Sequence, residues 1–146
     1  MKKAHRTRLV FFLLFLISIL RISAQEDKKL TDTLRTDAVK IFIDCQRCDM
    51  NYIRNEIPYV NYVRDVKEAE VYILETRQST GSGGSQYTYS FYGHGIYSHM
   101  SDTLVYNSRP DNTRDMTREG RTQMLRLGLM RYLAKTPLFN QVEIAS

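Results

Sequence analysis

The stretch from Val39 to Ile57 constrains this chain more than any other. Val39, Ile41 and Ile43 alternate with Lys40 and Phe42, the period of a strand. Met50, Ile53 and Ile57 come next at i, i+3 and i+7, the period of one buried helix face, and Asp49 stands where an N-cap belongs. A strand that runs straight into a helix restricts the path of the chain beyond it. The chain must cross back and lay its next strand parallel to the first, in a right-handed crossover. The turn between the two elements is Cys45-Gln46-Arg47-Cys48, which holds the only two cysteines.

The rest of the chain fits around that unit. Pro58 ends the first helix, because the residue before a proline is pushed out of helical geometry. Tyr59 to Val63 reads as a short strand, Arg64 to Glu70 as a charged turn and Val71 to Thr76 as a strand with Val71, Ile73 and Glu75 on one face. Gln78 to Gln86 reads as a glycine-rich loop, Tyr87 to Tyr92 as a strand broken by Gly93-His94-Gly95, and Thr103 to Tyr106 as the last strand. Asn112 is the expected cap of a long helix over Thr113 to Lys135, with Asp115 as a weak capping-box partner, Met116 inward and Pro137 as a stop. Gly120 and Gly128 cost about 1 kcal/mol each inside a helix and are expected to allow close approach to the sheet. The expected fold class is α+β: a single mixed β-sheet in the order β-α-β-β-β-β-α, with two helices packed on one face. The first two strands should be parallel and the later ones antiparallel hairpins.

Charge bears on function only after the amino terminus is accounted for. Lys2, Lys3, His5, Arg6 and Arg8 precede an apolar run from Leu9 to Leu20, and Ile22-Ser23-Ala24 forms a small-residue exit after it. This is the pattern of a cleaved signal peptide, and the run is short of the roughly twenty apolar residues needed to span a bilayer. The chain has 21 basic and 16 acidic residues. Five of the basic ones lie in residues 1–24 with no acidic residue, so the remainder balances at 16 of each sign. The basic surplus belongs to the export signal and gives no argument for nucleic acid. The domain reading is therefore residues 1–24 signal peptide, 25–37 flexible linker, 38–137 α/β envelope domain and 138–146 C-terminal tail.

Four groups of residues bear on chemistry. Cys45 and Cys48, in an oxidising envelope, read as a structural disulfide. The alternative is a periplasmic thiol–disulfide oxidoreductase, with a thiolate at the helix start assisted by Arg47. Asp44 and Asp49 flank the pair and oppose a thiolate, and neither Pro58 nor Pro110 stands where a thioredoxin-like fold needs its proline. His94 and His99 could join Cys45 and Cys48 as a Cys2His2 metal set, although the pairs are far apart in sequence. Gly81, Gly83 and Gly84 lack the Lys-Ser/Thr of a phosphate-binding P-loop and read as a hairpin, or as a mobile partner-contact loop. Tyr87, Tyr89, Tyr92, Tyr97 and Tyr106 form either a stacking platform for a sugar or peptide, or ordinary cross-strand packing. No catalytic set of residues is visible, and no cofactor is expected.

The runs Phe42-Ile43-Asp44-Cys45, Cys48-Asp49, Tyr52-Ile53-Arg54 and Glu56 to Asp65 carry a resemblance. With Thr80-Gly81, Asp102-Thr103-Leu104 and Leu127 to Tyr132, they resemble the amino-terminal module of uncharacterised Gram-negative envelope proteins, over about Val39 to Pro137. In that family the module stands ahead of an outer-membrane β-barrel. Its layout is similar to the TolB amino-terminal domain and to CsgG-like α/β domains. The resemblance implies a non-enzymatic periplasmic or outer-membrane-associated domain whose partner is an envelope protein, an outer-membrane β-barrel among the candidates. Peripheral association with a membrane is compatible with that address.

Overall fold

The computed structural model describes residues 38–137. The signal peptide, the linker and the C-terminal tail expected from the sequence lie outside the described residues. No helix among the described residues is long and apolar enough to cross a membrane.

The elements are β1 (Lys40–Asp44), α1 (Met50–Glu56), β2 (Asn61–Tyr62), β3 (Val71–Ser79), β4 (Ser85–Gly93), β5 (Ser101–Ser108) and α2 (Arg114–Leu133). They form one mixed five-stranded sheet in the order β2-β1-β3-β4-β5. β1 is parallel to both β2 and β3, while β3–β4 and β4–β5 are antiparallel. The expected α+β fold and parallel first pair are therefore present. One connection differs: β2 and β3 are not a hairpin. β1 lies between them, and the chain crosses its end through a 3-10 turn at Val66–Glu68. That turn is fixed by Asp65, whose Oδ1 accepts from the Lys67 amide at 2.9 Å.

Both helices lie on the same face. Ile41, Val71, Ile73, Tyr89 and Phe91 from the strands form one buried cluster with Ile53 and Ile57 of the first helix unit and Leu125, Leu129, Tyr132 and Leu133 of α2. Asp49 caps α1 as expected, accepting from the Tyr52 amide at 3.0 Å. Arg118 reaches Asp49 at 3.2 Å and Arg126 pairs with Glu56, so α2 is tied to both ends of α1. At the far end the Tyr97 and Tyr132 rings meet edge to face, 5.4 Å between centroids.

Three details of α2 differ from the sequence-based expectation. Its N-cap is Thr113, which accepts from the Met116 amide at 3.2 Å; Asn112 instead donates to the Tyr106 hydroxyl at 3.1 Å. Asp115 pairs with Arg118 rather than completing a capping box. Met116 is exposed. It stands nine residues before Leu125, half a turn out of phase at about 100° per residue.

Several buried and half-buried tyrosines make the fold sensitive to alkali. Burial, the largest cause in each case, pushes the phenols of Tyr59, Tyr62, Tyr89, Tyr97 and Tyr132 above the ordinary value of 10. A folded pKa above the unfolded one gives stability that is complete below pH 10 and is lost as pH rises beyond it. The urea midpoint should therefore hold steady up to about pH 9 and fall above pH 10. A midpoint unchanged well above pH 10 would show that these rings ionise freely in the fold.

Candidate functional site

The carboxyl end of β1 and the amino-terminal half of α2 bring most of the chemically capable side chains together. Cys45 and Cys48 are joined in a disulfide, with Cα atoms 6.0 Å apart. The bridge closes the turn between β1 and α1. Inside it Arg47 has φ +59°, the one positive φ outside glycine among the described residues. That conformation crowds the Cβ of an L-residue at a cost of roughly 1–2 kcal/mol, so the bridge and the cap at Asp49 hold the turn against strain.

A buried polar network lies directly beneath. Glu75 sits on the inward phase of β3 with its side chain only 3% exposed. Arg121 of α2 grips it with a forked contact: Nη2 donates to Oε1 at 2.6 Å and to Oε2 at 2.8 Å, and Nε donates to Oε2 at 3.1 Å. The Tyr89 hydroxyl donates to Oε2 at 2.5 Å. Arg121 Nη2 also reaches Cys48 Sγ at 3.1 Å, and its guanidinium lies 4.8 Å from the Tyr87 ring centre. Burial alone would lower the Arg121 pKa, but the hydrogen bonds to Glu75 and Tyr89 hold it above its ordinary value. Arg121 is held as a cation, and a thiolate at Cys48 would sit against the same guanidinium.

The other candidates separate. Strand register puts Asp44 opposite Leu74, and Val71 opposite Gly93. His94 therefore lies at the opposite end of the sheet from the cysteine turn, about four residues or roughly 13 Å along the strand. Its Nδ1 is 3.2 Å from the Ala69 carbonyl and His99 is exposed. The Cys45, Cys48, His94 and His99 set does not assemble, and no cluster of metal-ligating side chains occurs among the described residues.

The glycine segment is shorter than the loop expected over Gln78 to Gln86. Pairing continues to Ser79–Ser85, and Thr80 to Gly84 forms a tight turn in which the Thr80 amide donates to the Gly84 carbonyl at 3.0 Å. Gly81 is open to solvent, whereas Gly83 packs on Pro110 and Gly84 lies against the Ser108 carbonyl. The five tyrosines are not one platform. Tyr87 stacks on Tyr106 on the helix side, 6.1 Å between centroids, with Tyr89 and Tyr97 buried there, while Tyr92 faces the other way. On that opposite face Phe42, Tyr72 and Tyr92 stack in a row at 6.1 and 5.9 Å, and no element among the described residues covers them.

Glu75 and Arg121 have no role among the sequence-based candidates. The signal that finds them is an acid on the buried phase of a strand together with an arginine four residues before Leu125 on the inward phase of a helix.

Comparison of the chain with family models, with curated proteins and with solved structures finds no match.

Proposed function

We propose that this chain is an exported, non-enzymatic envelope domain that engages a protein partner, in the periplasm or at the outer membrane, by accepting a partner strand on β5. The observation that carries this reading is a sheet edge that no strand among the described residues covers. β5 is eight residues long and terminates the sheet. Exposed edges are normally blunted by charged side chains, lysine above all, by proline or by a bulge, and Ser101 to Ser108 has no lysine, no proline and a single charge, Asp102. The Gly93 amide donates to the Met100 carbonyl, and pairing alternates from there. The amides of Val105 and Asn107 are thus directed outward. The outward Thr103 amide is capped by Asp102 Oδ1 at 2.9 Å, and Asp102 is held by Arg131 at 2.7 Å. The row Phe42, Tyr72 and Tyr92 and the exposed Val105 lie on the adjoining open face, where side chains of an added strand would pack. The basic, apolar amino terminus supports the address.

A photo-crosslinking residue at Asn107, placed in the protein as its producing cells make it, tests the reading. One discrete adduct is expected. Val105→Pro should abolish it, because proline removes an outward donor without breaking a bond to β4. An adduct that survives Val105→Pro, or one equally strong from Lys67 on the opposite side of the sheet order, would rule the edge out.

A further inference from the structure

Independently of the edge, the structure holds a concave site of marked charge. A cleft of about 680 Å³ opens between the Cys45–Cys48 turn, the β3–β4 turn and the start of α2. This is within the range of roughly 300–1,000 Å³ typical of small-molecule sites. Six arginines line it, Arg47, Arg77, Arg109, Arg114, Arg118 and Arg121, against one lining carboxylate, Asp49. The chain outside the export signal has balanced charge, so this is a segregation of cations into one concavity.

The guanidiniums are not equally engaged. Arg121 is neutralised by Glu75, Arg118 spans Asp49 and Asp115, and Arg109 pairs with Asp111 at the surface. Arg47, Arg77 and Arg114 face no carboxylate among the described residues. Arg77 is held in place nonetheless: its Nε and Nη2 donate to Ser85 Oγ at 3.1 and 2.9 Å, and it lies 5.7 Å from the Tyr87 ring centre. That leaves its Nη1 without a partner among the described residues. Arg47 is delivered by the strained backbone of the disulfide-closed turn, a conformation that glycine or asparagine would take at less cost. The Thr80 to Gly84 turn closes against the Ser108 carbonyl, and no Cβ fits at Gly84. Ser85, Thr113 and Thr117 complete the wall.

We propose that this cleft binds a phosphate monoester, with the planar forks of Arg47 and Arg114 and the remaining Nη1 of Arg77 gripping the phosphate oxygens. Such a group carries about −1.5 to −2 charge at neutral pH with three acceptor oxygens, which matches several open forks better than a single carboxylate does. The amide end of α2 adds favourable potential for the same charge. The chemistry is shared by soluble phosphorylated compounds and by phosphorylated lipid headgroups.

Calorimetric titration of the purified protein with glycerol 3-phosphate, a soluble phosphate monoester, and in parallel with vesicles of neutral lipid carrying phosphatidic acid, tests the site. Saturable one-to-one binding is expected, weakening with added salt. The double variant Arg77→Gln/Arg114→Gln should weaken it by roughly tenfold or more, and Arg47→Asn, which suits a left-handed backbone, should weaken it by itself. Arg131→Gln, at the other end of α2, should leave it unchanged. Both variants in the cleft alter exposed side chains, and a melting temperature no lower than the parent's verifies folding. Binding of glycerol 3-phosphate alone would mark a soluble ester as the ligand class, and tighter binding to the vesicles a headgroup. No saturable binding to either probe, or equal weakening by Arg131→Gln, would overturn the proposal.

Discussion

Gly128→Ala is expected to lower the unfolding free energy by about 2 kcal/mol or more, although alanine is the better helix former by about 1 kcal/mol. Gly128 is buried in the middle of α2, and a Cβ there would overlap the ring of Phe91. Phe91 is wholly buried in the centre of the sheet, so its ring cannot swing aside into solvent. The helix must lift or the ring must leave its rotamer, and overpacking of this kind costs typically about 1–3 kcal/mol and sometimes more. The melting temperature should fall by roughly 4–8 °C for each kcal/mol lost in a domain of this size. Gly120→Ala is the internal control. Its Cβ would meet Tyr106, but that ring is only half-buried and can turn outward, so the change should remain within about 1 kcal/mol. Adding Phe91→Leu to Gly128→Ala should recover part of the loss, a coupling of roughly 0.5–3 kcal/mol between touching residues. A Gly128→Ala variant as stable as the parent would mean that α2 does not lie on Phe91 as described.

The same helix shows what is legible in a sequence and what is not. The β1–α1 unit is readable because every signal in it is local: the alternation of Val39 to Ile43, the cap at Asp49, the stop at Pro58. The single sheet and two helices emerge from such signals. The β2-to-β3 connection is not readable, because whether β1 intervenes between two strands is a tertiary outcome and the link of Val63 to Glu70 looks the same either way. The cap of α2 is misplaced by one residue for a similar reason. Asn112 and Thr113 are both capping types, and the choice falls to Thr113 while the Tyr106 hydroxyl engages the Asn112 amide group. Met116 and Leu127 are apolar, yet phase rather than hydrophobicity puts both on the exposed side. The arginine cleft is dispersed over three segments of the sequence, so only folding reveals that its charges share a concavity.

Arg121→Met is expected to have the larger effect, a loss of about 3–5 kcal/mol, because it strips the cation from a carboxylate that stays buried. Glu75 would keep only the Tyr89 hydroxyl, in a pocket where the present partner makes a fork at 2.6 and 2.8 Å. The pair itself need not stabilise the fold. Charges taken out of water repay their desolvation poorly, and removing both is often neutral. Glu75→Gln/Arg121→Met should therefore recover most of the loss, with Tyr89 donating to the glutamine carbonyl. A single-variant loss below about 1 kcal/mol, the size found for surface pairs, would show that the carboxylate is solvated. The same guanidinium lies 3.1 Å from Cys48 Sγ, so the reduction potential of the Cys45–Cys48 bridge in the parent protein separates two roles for the turn. A potential below about −300 mV makes the bridge a staple that holds Arg47 and α1 in place, as an interaction domain requires. A value between about −270 and −120 mV would make Cys48 an exchange-active thiol stabilised by Arg121, and the chain would then belong among thiol–disulfide enzymes.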